Sequence, residues 1–323
     1  MSNPFLDSTS KSGYGEITLA ALLPNTPRLK TCSYQYPLKL VAPEPLHAED
    51  GTLVHTVYLL SYGGGLVAGD AINLKINLDP NVRLIVLTQG STKIFKSPEP
   101  KIITRQRLDV NLMRGSSLCY LPDPVQPFAQ SAFEQTQVYY MPALNQTNLC
   151  FCDWVCRGRA ARGENWNVWR YTSKNEVWLK PEDGERQRLL LRDNILLEDG
   201  AANGSFADRL DQMGAFGSLI IYGPIFEALS EFFMREFEAI PRIGARNWDG
   251  EKQDDELNER KQRESREKKD ALLWTAARIR GFVLVKFGAR EVEGVKRWLH
   301  SMLRTEGSVE KLFGERALLC LRS

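Results

Sequence analysis

The sequence predicts a mainly β protein whose helices are confined to its C-terminal third. Two observations carry this. From about residue 31 to 200 the chain runs as short segments of period-2 alternation, broken by Gly, Pro, Asn and Asp. Beyond residue 223 the apolar residues fall instead at helical spacing in two segments. At 323 residues and 43% hydrophobic, the chain can bury a core without disulfide or metal staples.

The polar, Pro-punctuated residues 1–30 read as a loosely ordered lead-in, and 31–323 as a single domain. Ile72, Leu74, Ile76 and Leu78 alternate with Asn73, Lys75, Asn77 and Asp79, the pattern of a half-buried strand. Arg83 to Thr88 is more continuously apolar, as in a strand buried on both faces. Leu108, Val110 and Leu112 alternate with Arg107, Asp109 and Asn111. Cys150, Cys152, Trp154 and Cys156 would share one strand face. Trp166 to Tyr171 and Glu176 to Lys180 read as strands on either side of a Ser173-Lys174-Asn175 turn. After Gly223-Pro224, a favourable helix start, apolar residues run from Ile225 to Ile240 as one stripe. A second stripe holds Val292, Val295, Trp298, Leu299, Met302 and Leu303. Between the two helices, 249–270 has nine acidic and seven basic residues and one large apolar side chain, Leu257. Such an insert reads as a solvated helix or a disordered segment.

Forty-two Lys and Arg face 40 Asp and Glu, so the net charge is only +2. That balance argues against a nucleic-acid or acidic-membrane partner. No run approaches the ~20 apolar residues of a membrane span, and no signal peptide is recognisable. Six cysteines without a regular framework fit reduced thiols in the cytoplasm.

The candidate motifs sit at strand ends. Gly63, Gly65 and Ala68 formally match a dinucleotide fingerprint, but the alternating strand from Ile72 follows where a helix is required. Thr88-Gln89-Gly90-Ser91-Thr92-Lys93 has its Lys after the hydroxyls, the wrong order for a phosphate loop. Nucleotide binding is therefore rejected. In Leu121-Pro122-Asp123-Pro124 two prolines fix the acid. Along one strand, Cys150 and Cys156 stand roughly 20 Å apart, too far for one metal ion. With three scattered histidines, no catalytic triad can be assembled. The acids Asp70, Asp123, Asp153 and Glu164 leave open a β-solenoid hydrolase acting on glycosides through paired carboxylates.

Four motifs in order, Gly63 to Asp70, Thr88-Gln89 with Ser91-Thr92-Lys93, Leu121 to Pro124 with Phe128, and Gly158-Arg159 with Gly163-Glu164, resemble the urease accessory protein UreD (UreH) family. Pro37-Leu38-Lys39-Leu40 and Leu284-Val285-Lys286 also resemble it, and the likeness runs from about residue 30 to the C-terminus. Leu87-Thr88-Gln89-Gly90, where a second Thr and a small Ala-like residue would be expected, and the insert 249–270 depart from its pattern. The resemblance implies a stacked, β-helix-like body and a non-enzymatic chaperone of urease metallocentre assembly. It also implies apo-urease and UreF as partners, the GTPase UreG through UreF, and a dimer only within that complex. Nickel would be a transient passenger, with no nucleotide bound by this chain. By motif position, Asp70, Asp123 and Glu164, with Ser91, are the candidates for lining a nickel passage. The two helices and the tail from Lys311 to Ser323 would support the UreF-binding surface.

Overall fold

A computed structural model of the chain describes residues 11–22, 26–181, 186–198, 210, 212–240 and 254–322. Strands β1 (Tyr14–Leu22) and β2 (Thr26–Tyr34) form an antiparallel pair. Next, β3 (Leu38–Val41) and β4 (Leu46–His47) pair with β5 (Leu53–Ser61). Then the chain coils: β6 (Gly65–Leu66), β7 (Ala71–Leu78), β8 (Arg83–Leu87), β9 (Thr92–Ile94), β10 (Thr104–Leu112) and β11 (Ser117–Tyr120). The coil continues through β12 (Val125–Pro127), β13 (Ala132–Met141), β14 (Asn148–Cys156) and β15 (Arg170–Leu179). It ends with β16 (Arg188–Glu198) and β17 (Ala215–Tyr222), followed later by β18 (Leu273–Ile279) and β19 (Phe282–Ala289).

Each circuit lays one strand on each of two sheets. In the first, β7, β10, β13 and β15 are parallel neighbours. In the second, β5, β8, β11 and β14 are parallel neighbours. The short β6, β9 and β12 pair with one another at the turns between them. This is the stacked, β-helix-like body that the family resemblance implies. Antiparallel strands extend it: β16 borders the first sheet, and β17, β19 and β18 extend the second.

Two cores follow from the alternation. Leu74, Ile76, Leu108, Val110, Phe133, Tyr139, Phe151 and Val155 fill the space between the sheets. The opposite face of the second sheet, with Cys150, Cys152, Trp154 and Cys156, packs under the C-terminal helices. Every residue of β14 is therefore buried. The cysteines share one face as their spacing indicates, and all six thiols are free.

After a single 3-10 turn at Pro224–Phe226, α1 (Glu227–Glu238) lays Leu229, Phe232 and Phe233 into the second core. Both helices expected from apolar spacing are present. The charged α2 (Asp254–Lys269) is followed after β19 by α3 (Val292–Glu306) and α4 (Ser308–Phe313). Gly307 ends α3 with φ +85° and donates its N–H to Leu303 O, a left-handed cap that favours glycine. No helix among the described residues is long and apolar enough to cross a membrane.

Two sequence expectations need correction, and for the insert the helical alternative holds, docked and not solvated all round. Within the supposed lead-in, β1 and β2 are full strands, with Ile17 and Leu19 wholly buried. β1 joins β7 in parallel register and β2 forms the sheet edge, so the polar look of this stretch reflects the outward faces of these two strands. Residues 1–10 lie outside the described residues. Ser173 to Asn175 form no turn: β15 runs unbroken through them, because both side chains find partners inside the body. The insert, whose first five residues and Leu257 side chain are not described, is helical from Asp254 and docked through ion pairs.

Candidate functional site

The four sequence motifs stack at one rim of the coil. Register pairs Gly65 with Lys93, Lys93 with Gln126, and Leu66, Ile94 and Pro127 in line. Gln126 Nε2 reaches the carbonyls of Arg157 and Gly158 at 3.4 Å, tying in the fourth motif. The acids themselves are not brought together. Asp123 faces back toward Gly90, whereas Asp70 and Glu164 lie beyond the short strands on the other side.

Asp123 is buried. Its Oδ2 accepts from Gly90 N at 2.9 Å and Thr88 Oγ1 at 3.2 Å, and its Oδ1 accepts from Lys296 Nζ at 2.6 Å. These groups, with Lys39, Tyr58 and Cys320, line a cavity of about 680 Å³. Burial pushes the Cys320 thiol up to about 12, and its Sγ donates to Thr88 O. Ser91 borders this rim, half-buried. Asp70 Oδ2 accepts from Val67 N at 2.9 Å and closes its own glycine-rich turn.

Glu164 is held on all sides. Its Oε1 accepts from Arg159 Nε at 2.9 Å and from the second guanidinium nitrogen, and Oε2 accepts from Arg159 N at 3.0 Å. Arg159 in turn lies 4.2 Å over the Phe128 ring. A Cβ on Gly158 would come within 2.7 Å of Glu164 Oε2, so glycine is what permits this closure. The Arg159 hydrogen bonds outweigh burial and hold the Glu164 carboxyl below its usual range. A depressed carboxylate contributes stability above its unfolded value, about pH 4.3, and loses it as pH falls through the folded value. The gap in melting temperature between wild type and Glu164→Gln should be widest near pH 7 and close below about pH 4. A gap independent of pH would refute the ion pair.

A second polar constellation, unmarked in the sequence motifs, lies inside the body. On the first sheet Gln106, Gln135 and Ser173 share one register row, and Gln137, Asn175 and Asp193 the next. From the second sheet Asp153, Ser218 and Lys286 form a facing row. Asp153 Oδ1 accepts from Gln135 Nε2 at 2.8 Å, and Oδ2 accepts from Ser173 Oγ and Asn175 Nδ2, both at 2.6 Å. Burial raises its pKa, opposed by those hydrogen bonds, and among the described residues all three donors are neutral. Asp193 accepts from Ser218 Oγ at 2.7 Å and Lys286 Nζ at 2.5 Å. Buried Gln106 Oε1 and Asn175 Oδ1 have no hydrogen-bond partner. At ~4.8 Å between strands, this seam spans roughly 14 Å from β10 to β16 along the coil axis. It reaches the surface at the half-exposed Lys286.

Its sequence signal is faint but real. Gln135 and Gln137 are in phase with buried Phe133 and Tyr139, and Ser173 and Asn175 with Tyr171 and Val177. The donors are carboxylates, amides and hydroxyls. Such a set would hold a divalent cation loosely, without the trapping strength of a thiolate or imidazole cage. The described residues contain no group of three or more His, Cys, Asp or Glu able to hold a metal. For the hydrolase alternative, Asp123 and Glu164 are engaged by cations and Asp153 is enclosed, so none presents a free carboxylate to a glycoside.

A model of the UreD urease accessory protein family matches residues 13–319. Urease accessory protein 4 of Cryptococcus neoformans var. grubii is 30% identical over 94% of this chain and 93% of its own length. An uncharacterized urease accessory protein ureD-like of Schizosaccharomyces pombe is 32% identical over 82% and 84%. Urease accessory protein UreD of Sorangium cellulosum is 33% identical over 66% of this chain and 62% of its own. The chain belongs to the UreD family of urease accessory proteins, a family of chaperone type and not of enzymes.

Proposed function

We propose that this chain scaffolds the accessory complex on apo-urease and helps pass nickel toward the urease active site through its polar interior. The observation that carries the passage is the seam from Gln106 to Lys286: a buried carboxylate with neutral donors, and unpartnered amide oxygens, inside an otherwise apolar body. A conduit must attract a cation enough to admit it and weakly enough to release it. Oxygen donors spaced along the axis meet both demands. UreF would be the direct partner and UreG would act through it, in the cytoplasm and in the service of nitrogen metabolism, with dimerisation confined to the complex.

Among the rim residues, Asp70 and Ser91 carry no ion pair among the described residues and remain the proposed entrance. Asp123 and Glu164 already hold cationic side chains, so their proposed part is to shape the rim, or to admit nickel by exchange with Lys296 or Arg159. The proposed UreF surface lies on the outer faces of the helices. Ala317, Leu318, Cys320 and Leu321 of the tail are buried, so removing the tail would strip the core as well as any docking surface. Co-expression with apo-urease, UreF and UreG tests the role: nickel-dependent urease activity is expected with this chain and only background without it. Equal activity in its absence would overturn the proposal.

A further inference from the structure

The charged helix α2 lies in a trough between α1, α3 and β18, and from Arg260 onward its described side chains meet that trough chiefly through charge. From Arg260 to Lys269 it has no apolar side chain. It is held by ionic contacts: Arg260 meets Glu236 through Nε at 3.1 Å and Nη2 at 2.6 Å, and Arg263 meets the same carboxylate at 2.7 Å. Glu267 Oε1 accepts from Trp298 Nε1 at 3.0 Å. Glu236 is buried on α1; burial opposes its charge, but hydrogen bonds from both arginines prevail and hold its carboxyl below the ordinary value. Beneath lies an aromatic cluster of Phe232, Phe233, Phe237, Trp274 and Trp298.

Beyond these contacts, the described side chains from Arg260 to Lys269 fill the trough poorly. A cavity of about 550 Å³ separates Glu264 and Lys268 from Met213, Ile240, Leu272 and Leu273. Another of about 510 Å³ lies between Arg263 and Arg266 and a mostly polar α3 face of Arg297, His300, Ser301 and Arg304 beside Trp298. In the first cavity charged side chains thus stand opposite an apolar wall, where packed leucines would gain contact area.

We propose that this trough is a docking site for an amphipathic helix of a partner protein that presents two arginines one turn apart, and that α2 is its intramolecular occupant. The occupant's chemistry is read from what the trough already accepts. Two arginines three residues apart neutralise Glu236, and an acid four residues after the second takes the Trp298 indole. A partner helix with that face and apolar residues in place of Glu264 and Lys268 would satisfy the same carboxylate and fill the larger cavity. Helix-in-groove recognition uses apolar anchors at such spacing. Being tethered gives α2 a high effective concentration, so it excludes weak competitors and yields to a better-packed one.

The test uses the full chain and a labelled synthetic peptide of residues 254–269 carrying Glu264→Leu and Lys268→Leu. In wild type, α2 amides should exchange at least tenfold faster than those of α1 and α3. The peptide should bind the Arg260→Ala/Arg263→Ala chain at least tenfold tighter than wild type, and adding Glu236→Gln should abolish that binding. Protection of α2 equal to that of α1 and α3 would make it a permanent element and overturn the proposal. Absence of peptide binding, or binding indifferent to Glu236, would also overturn it. The exchange measurement on wild type decides even where a variant folds poorly.

Discussion

Asp153→Ala is expected to lower the stability of the fold by about 2–4 kcal/mol, read as a shift in the urea midpoint. The substitution removes the acceptor for Gln135 Nε2, Ser173 Oγ and Asn175 Nδ2 at once, deep between two sheets. Each buried donor left without a partner costs about 1–3 kcal/mol, and relief of the carboxylate's own desolvation offsets part of the sum. Asp153→Asn behaves differently. Its carbonyl oxygen can still accept from Ser173 and Asn175, and a rotated Gln135 amide can accept from the new NH₂ group. The variant should fold within about 1 kcal/mol of wild type while losing the interior negative charge. Equal stability of the Ala and wild-type chains would show that Asp153 is not enclosed as described.

Asp123→Ala is expected to cost about 3–5 kcal/mol, the range for removing one partner of a buried ion pair. Lys296 is only 15% exposed and would lose its counter-charge, while Gly90 N–H and Thr88 Oγ1 would lose an acceptor. Asp123 also joins three separated parts of the chain: the loop after β8, the proline corner and α3. Lys296→Met should cost less, because its methylenes are kept and Asp123 retains two donors. If Asp123→Ala unfolds at the wild-type midpoint, the ion pair contributes nothing to stability and Asp123 is free for another role.

Much of the body is legible in the sequence because its strands obey period 2. Ile72, Leu74, Ile76 and Leu78 are all buried, and so are Leu108, Val110 and Leu112. The two apolar stripes beyond residue 223 are helices for an equally local reason. The seam escapes that logic. A polar residue in a strand usually faces solvent, so Ser173 and Asn175 read as a turn, whereas their partner Asp153 sits 20 and 22 residues earlier on the opposite sheet. Nothing local shows that two polar rows will face each other across a core. The rim motifs illustrate the converse. They are conspicuous in sequence because Gly and Pro mark them, yet the structure leaves their acids apart and engages Asp123 and Glu164 with cations. The edge pair β1 and β2 looks unstructured because only its inner face is apolar.

The central claim, that nickel reaches urease through the polar interior of this chain, is tested most directly by counting nickel in urease matured with the Asp153→Asn chain. Apo-urease, UreF and UreG are co-expressed with wild type or variant, the complex is isolated, and nickel per urease active site is measured by elemental analysis. The predicted result is an intact complex of unchanged composition and a nickel content at least tenfold lower with the variant. Full nickel loading with Asp153→Asn, in a complex as stable as that of wild type, would contradict it.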